Sequence, residues 1–226
     1  MNILELFSGS RSIGKIGEER GHNVFSSDFQ EFPNTDYVVD IMEFDINKVP
    51  FVPNMIWASP PCESFSVASI GRHWVKGEVF TPKTDNAKKG IAMLEKTLEI
   101  IKHFQTLNPN LVWYVENPRG KMRKSPLWNE IEHKLNGVTY CQYDDEYETI
   151  KRMKPTDIWN NNPMWISKPM CKNGDSCHES APRGSSTGTQ GIKSYYDKSK
   201  IPSELCEQIV MAFEDVTKYK VIIKNR

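Results

Sequence analysis

Met55-Ile56-Trp57-Ala58-Ser59-Pro60-Pro61-Cys62-Glu63-Ser64-Phe65-Ser66 is the stretch on which the reading of this chain turns. It opens as a short apolar run, reads as a buried strand, and breaks at two prolines. Proline fixes φ and cannot donate to a ladder, so the strand must stop there. A thiol then stands just past the strand end. In open α/β sheets that is where ligands and reacting groups collect. Taken alone, a structural cysteine after a proline turn explains the stretch equally well, because buried cysteines are common. The segments on either side separate the two readings.

Upstream, residues 2–7 read as a strand, and Ser8-Gly9-Ser10-Arg11-Ser12-Ile13-Gly14 as a small-residue turn. Residues 15–20 then read as a helix stopped by Gly21. A strand, a glycine turn and a helix let backbone approach a nucleotide-type ligand closely. The turn is not a P-loop, because Lys15 and Ile16 follow Gly14. Residues 23–28 form a second expected strand, ending in Asp28. That acid falls where doubly wound folds hold a ribose diol, about 20 residues after the turn. Residues 37–41 form a third, with Asp40 near its end. Strands separated by helix-length segments imply a mostly parallel sheet with helices on both faces.

Downstream of Cys62, a polar stretch runs to about Asp85 with Arg72, His73, Trp74 and Lys76 in it. Long loops of this kind are typically lids or binding loops. Thr84 or Asp85 can cap a helix that ends before Asn108-Pro109, with Ile91, Leu94, Leu98, Ile101 and Phe104 on its core face. Residues 111–118 are the fifth strand, apolar until Glu116-Asn117 and stopped by Pro118. A carboxylate emerging from a buried strand costs several kcal/mol unless it is paired or protonated, which makes Glu116 a candidate for chemistry. The basic run from Arg119 to Lys124 reads by itself as a solvated loop. Residues 139–143 and 156–159 are expected as the sixth and seventh strands, and residues 160–200 as mostly loop. Pro202 opens a last helix with Leu205, Ile209, Phe213 and Val216 as its apolar stripe, and Cys206 in the core.

The 226 residues suit one α/β domain. Formal net charge is zero, but residues 1–50 carry nine acids against four bases, a net of −5, which leaves +5 for the rest. The later part is therefore the one suited to a polyanion. No apolar run approaches the roughly 20 residues of a membrane span. Strand-like sequence from Asn2 onward does not resemble a signal peptide, and none is expected. Five cysteines at irregular spacing argue for a reducing compartment rather than a disulfide framework. Cys141, Cys171, Cys177 and His178 have the donor types of a zinc site without Cys-x-x-Cys spacing. Ordinary loop thiols are the favoured reading and zinc the alternative.

Leu6-Phe7-Ser8-Gly9-Ser10, Pro61-Cys62-Glu63-Ser64-Phe65-Ser66 and Glu116-Asn117-Pro118, in that order, resemble three motifs of the DNA cytosine-5 methyltransferases. The likeness is to short phage- and prophage-borne members, of restriction-modification type. It implies a Rossmann-like S-adenosylmethionine-dependent methyltransferase fold with a mostly parallel seven-stranded sheet. It implies S-adenosylmethionine over the carboxyl ends of the first four strands, held by Phe7, Ser8, Gly9, Ser10, Asp28, Asp40, Ile41 and Pro60. Cys62 would add to carbon 6 of a flipped-out cytosine and Glu116 would protonate N3, with Asn117 beside it. Ser66 and Arg72 would contact DNA, and Lys151, Arg152 and Lys154 would stand in for a later arginine pair. The implied setting is the cytoplasm of a bacterial or phage-infected cell, with cytosine-containing DNA as partner and no membrane. A monomer is expected, with a protein partner for targeting as an option.

The departures from the family are equally specific. Glu63 replaces a glutamine and Pro118 a valine. About 110 residues follow Glu116, too few for a large target-recognition domain. The expected division is a cofactor-binding and catalytic half over 1–135, a reduced, loop-rich recognition region over 136–200, and a packing helix over 201–226. The family's last motif has no counterpart unless residues 185–191 serve. Three other readings stay open. They are an adenine N6 or cytosine N4 enzyme, since Ser59-Pro60-Pro61 begins such a motif, an RNA or free-nucleotide enzyme, and a non-catalytic DNA-binding decoy.

Overall fold

A computed structural model describes residues 1–143, 152–179 and 194–224. Its strands are β1 (Asn2–Leu6), β2 (Asn23–Asp28), β3 (Tyr37–Val38), β4 (Met55–Ala58), β5 (Val112–Pro118), β6 (Lys134–Thr139) and β7 (Pro155–Asn160). They form one sheet in the order β3-β2-β1-β4-β5-β7-β6. The first five strands run parallel. β7 lies antiparallel between β5 and β6. The expected doubly wound sheet is present, and the order reverses between β1 and β4. That reversal opens a crevice at the carboxyl ends of these two strands.

The helices are α1 (Ser12–Glu19), α2 (Ile70–His73), α3 (Asp85–Leu107), α4 (Tyr195–Ser199) and α5 (Ser203–Lys224). Alternation along the central strands divides the core in two. Ile3, Met55, Trp57, Val112 and Tyr114 face α1 and α5, where Leu205, Ile209, Phe213 and Val216 are all buried. Leu4, Leu6, Ile56, Ala58, Trp113 and Val115 face α3 through Leu94, Leu98, Ile101 and Phe104. Central strands buried on both faces carry continuous apolar runs, which is why β4 and β5 are legible as strands. Cys206 is fully buried, as expected. Among the described residues no helix is long and apolar enough to cross a membrane.

Several boundaries differ from the sequence reading. β3 stops at Val38, because the Asp40 side chain accepts from Met42 N–H at 3.1 Å and turns residues 41–43 into a 3₁₀ turn. α1 begins at Ser12, three residues early, after Arg11 adopts a left-handed conformation. The sixth strand is residues 134–139, and residues 140–142 form a turn. Its polar start, Lys134-Leu135-Asn136, lies on a sheet edge, so it lacks the apolar pattern of a central strand. The stretch after Cys62 contains α2 and a bridge between Trp74 and Pro82. Residues 160–200 contain α4 as well as loop, and residues 185–191 lie outside the described residues.

The basic run after β5 is not a free solvated loop. Arg123 forks onto the carboxylate of Asp157, which is fully buried on β7, and Arg119 approaches the same carboxylate at 3.7 Å. Lys121 donates to the Glu78 carbonyl at 3.0 Å and lies over the Trp74 ring. Removing one partner of a buried pair leaves the other charge uncompensated. Arg123→Ala should therefore destabilise the fold by about 3 kcal/mol. A double variant that also carries Asp157→Leu should recover most of that loss. Urea unfolding midpoints check both, and an Arg123→Ala midpoint equal to that of the parent would remove this anchor from the account.

Candidate active site

The loop after β4 is held open by its neighbours. Pro60 and Pro61 have no N–H to give, and the Pro60 carbonyl accepts from the Asn117 amide at 2.7 Å in a buried bond. The Phe65 carbonyl accepts from Lys121 N–H at 2.8 Å, and Ser66 bridges to Gly120. Phe65 is fully buried between Trp74 and α3, with Gly90 of α3 leaving room for its ring. Trp74 Nε1–H donates to the Ser64 carbonyl at 2.6 Å. Cys62, whose carbonyl accepts from Phe65 and Ser66 N–H at 3.0 Å each, is thereby presented half-buried at the crevice.

Beside it stands Glu116, 5% exposed at the end of β5. Tyr140 O–H donates to Glu116 Oε1 at 3.1 Å. Lys154 Nζ lies 3.8 Å from the same oxygen and 4.7 Å from the centre of the Tyr140 ring. The buried acid therefore has both a donor and a cation. Burial pushes the Cys62 thiol above its ordinary value, the Lys154 ammonium opposes this, and Glu116 adds to it. Cys62, Glu116 and Lys154 are thus within electrostatic reach of one another. Burial, with Glu116 adding to it, raises the Tyr140 phenol far above the usual range, so it is a hydroxyl donor at any working pH.

Among the described residues, Lys154 is the cation paired with Glu116. The charge of Arg152 acts on Asp197 of α4, and Lys151 lies outside the described residues. Ser66 is half-buried, its hydroxyl 3.0 Å from that of Ser69. Arg72 is exposed on α2. Tyr140 was hidden from sequence reading inside an expected strand. Lys154 was one of three cations that only folding could rank.

On the other side of the crevice, Phe7, Ser8, Gly9, Ser10 and Asp28, five of the residues expected to hold a cofactor, meet at the turn after β1. Phe7 and Gly9 both have positive φ, 55° and 47°. Ser8 N–H donates to the Ser27 carbonyl at 3.0 Å, and Gly9 N–H to Asp28 Oδ2 at 2.9 Å. Asp28 is buried, and burial raises its carboxyl against the N–H donors of Gln30, Gly9 and Phe29. Ser10 N–H donates to Ser199 Oγ at 2.8 Å, and a Cβ on Gly9 would meet that oxygen at 2.4 Å. Ile201 N–H donates to Ser12 Oγ at 3.1 Å. Residues 199–201 therefore close on the turn. Asp40 lies 3.5 Å from Lys89, with Ile41 buried behind it.

Glu5, which sequence reading passed over, decides what the turn can bind. Its carboxyl accepts from Ile13 N–H at 3.2 Å and Gly14 N–H at 3.0 Å, the first free donors of α1. Burial pushes it up to about 8, against Arg11 and those two donors. In either protonation state it occupies the groups that a phosphate would need. Glu5 therefore competes with any anionic ligand for the start of α1. Ser8 Oγ and Asn117 Oδ1 are buried with no partner, consistent with polar groups awaiting a ligand. S-adenosylmethionine, a nucleoside with a cationic tail, fits this donor set.

No family model matches the chain. The "Probable DNA (cytosine-5)-methyltransferase" of Frog virus 3 (isolate Goorha) is 33% identical over 184 residues, which are 78% of this chain and 78% of that protein. Among solved structures, the methyltransferase EhMeth of Entamoeba histolytica covers 78% of this chain at 15% identity, with a TM-score of 0.48. DNMT2 of Spodoptera frugiperda, solved as a mutant, covers 74% at 17% identity, with a TM-score of 0.45. This chain spans 57% and 55% of those two chains, little more than half their length.

A Cβ on Gly120 would lie 2.0 Å from the Phe65 carbonyl oxygen, a backbone atom that cannot step aside. Gly120→Ala should therefore separate the loops after β4 and β5 and destabilise the protein by about 1–3 kcal/mol. Gly71→Ala on α2, with open space around it, is the neutral control. Denaturant midpoints measure both. Equal midpoints would mean that the two loops are not held in register.

Proposed function

The chain belongs to the DNA cytosine-5 methyltransferase family, and from that premise we propose that it methylates carbon 5 of cytosine in DNA, with Cys62 as nucleophile and Glu116 as acid. The observation that carries the reading is the grouping of Cys62, Glu116, Lys154 and Tyr140 around one crevice of the sheet. The Rossmann-like fold is that of S-adenosylmethionine-dependent methyltransferases. S-adenosylmethionine, when bound, supplies an electrophilic methyl group on a sulfonium. Asp28 would hold its ribose, Phe7 and Ile41 would flank its adenine, and Ser8, Gly9, Ser10, Asp40 and Pro60 would line the rest.

Carbon 5 of cytosine is a poor nucleophile while the ring is aromatic. The Cys62 sulfur forms a bond to carbon 6 as Glu116 delivers a proton to N3, which makes carbon 5 enamine-like. Lys154 favours the thiolate and stands beside the acid, and Tyr140 orients the Glu116 carboxyl. After methylation, carbon 5 loses its proton to solvent, N3 returns its proton to Glu116, and the bond between sulfur and carbon 6 breaks. The ring is aromatic again and the thiolate is free. A stacked base cannot reach Cys62, so the target must leave the duplex. The loop after Cys62 carries exposed Val67, Arg72 and Lys76 and is the DNA-facing surface in this reading.

Labelled methyl transfer to duplex and single-stranded DNA, followed by digestion to nucleosides, tests the function. Label should appear in 5-methylcytosine and vanish with Cys62→Ala. Label in an N-methylated base would overturn the chemistry, and label in RNA alone would overturn the substrate.

The raised thiol also sets a pH dependence. Only the thiolate reacts, so alkylation of Cys62 by iodoacetamide in the free enzyme, followed by peptide mass mapping, should climb with pH, about tenfold per unit, through the neutral range. Lys154 opposes the rise in the Cys62 pKa, so Lys154→Gln should move the climb to higher pH. A flat profile between about pH 7 and 9, or one unmoved by the substitution, would remove Lys154 from the activation of Cys62.

A further inference from the structure

The methyltransferase reading leaves one constellation unused. Cys141, in the turn after β6, meets Cys171, Cys177 and His178 from the chain that returns after β7, and their ligand atoms all lie within 4.8 Å of one another. We propose that these three cysteines and this histidine bind one zinc ion, which clips the loop-rich segment after β7 to the edge of the sheet.

The distances carry the proposal. Tetrahedral zinc with bonds of about 2.3 Å to sulfur and 2.0–2.1 Å to nitrogen sets its ligands about 3.8 Å apart between sulfurs and about 3.5 Å between sulfur and nitrogen. The Cys141 and Cys177 sulfurs are 3.7 Å apart. His178 Nδ1 lies 3.4 Å from the Cys177 sulfur and 3.8 Å from that of Cys171. The Cys141 and Cys171 sulfurs, at 3.1 Å, need only a small side-chain rotation to reach the same spacing. They are too far apart for a disulfide of about 2.05 Å, and all five cysteines are free. Three thiols and an imidazole select zinc over hard cations, which prefer oxygen.

The surroundings are built in the same sense. Gln142 Nε2–H donates to the Cys177 sulfur at 3.0 Å, the type of outer contact that supports a metal-bound thiolate. Cys171 N–H donates to Thr139 Oγ1 at 3.0 Å, fixing the second segment against the end of β6. Between the two cysteines of that segment, Lys172 N–H donates to Asp175 Oδ2 at 2.7 Å and Gly174 takes a φ of 95°. The resulting tight turn brings Cys171 and Cys177 to one point. Cys141 is buried and the other three ligands are half-buried, as in a closed structural site without an open coordination position.

The chain has a physical need for such a clip here. Residues 161–179 form no regular element; Trp165 buries its ring in the core, but residues 166–179 beyond it contain no buried residue, so little apolar surface holds that part down. A metal supplies ordering free energy where a core is too small. The clip also sits one residue from Tyr140, whose hydroxyl reaches Glu116.

Metal analysis of the intact protein, purified without chelator, tests this independently of any methyl transfer. About one equivalent of zinc is expected. Chelator-treated protein should take up cobalt from cobalt chloride with the visible absorption of a tetrahedral thiolate site, and Cys177→Ser should lose both the zinc and that absorption. Less than about a tenth of an equivalent of zinc, together with no cobalt spectrum, overturns the proposal. So does an intact mass two hydrogens short, which would mean a disulfide, or an equivalent of iron in place of zinc.

Discussion

One buried hydrogen bond, from the Asn117 amide to the Pro60 carbonyl, joins the two halves of the candidate site. Two successive prolines leave the loop after β4 with carbonyls to satisfy and no N–H of its own to satisfy them. A donor must come from elsewhere, because an unpaired buried carbonyl is costly. β5 supplies it at its last turn of alternation. Asn117 points to the α3 side and holds the cysteine loop, while Glu116, one residue earlier, points to the other side and meets Tyr140 and Lys154. Two adjacent residues thus perform two different tasks, and the pleat of the strand keeps them apart. The contacts of Gly120 and Lys121 with Phe65 extend the same joint.

The charges around this joint are arranged with little excess. Glu116 is buried, but with an ammonium and a phenol at hand. Asp157, fully buried on the neighbouring strand, takes the guanidinium of Arg123. The basic run after β5 is consumed in holding β7 and Trp74. The cations left at the crevice are therefore those that come with the segment before β7, Lys154 above all. A fold that spends its nearest arginines on structure must bring its functional cation from further along the chain.

The turn after β1 follows a similar logic of occupation. Glu5 takes the free donors of α1 before any ligand can, and Ser199 takes Ser10 N–H from 189 residues away. What remains at the turn is a carboxylate at the end of β2 and two buried polar atoms without a hydrogen-bond partner, Ser8 Oγ and Arg11 Nε. A nucleoside with a cationic tail is compatible with the Asp28 carboxylate that faces this turn.

The sequence alone determined the sheet, its central strands, the two long helices and the order of the key residues. These are local matters: continuous apolar runs mark β4 and β5, period 3.6 marks α3 and α5, and prolines and glycines punctuate them. Cys62, Glu116 and the glycine turn were legible because each stands where a recognisable element ends. The edge strand β6 was misread by several residues, since a polar edge carries no clear period. Only the tertiary structure placed Lys154 and Tyr140 on Glu116, set Ser199 on Ser10 and gathered Cys141, Cys171, Cys177 and His178. Those pairings join residues up to 189 positions apart through irregular backbone. Their distances depend on how strands stack and loops return, and no local pattern of residues encodes that.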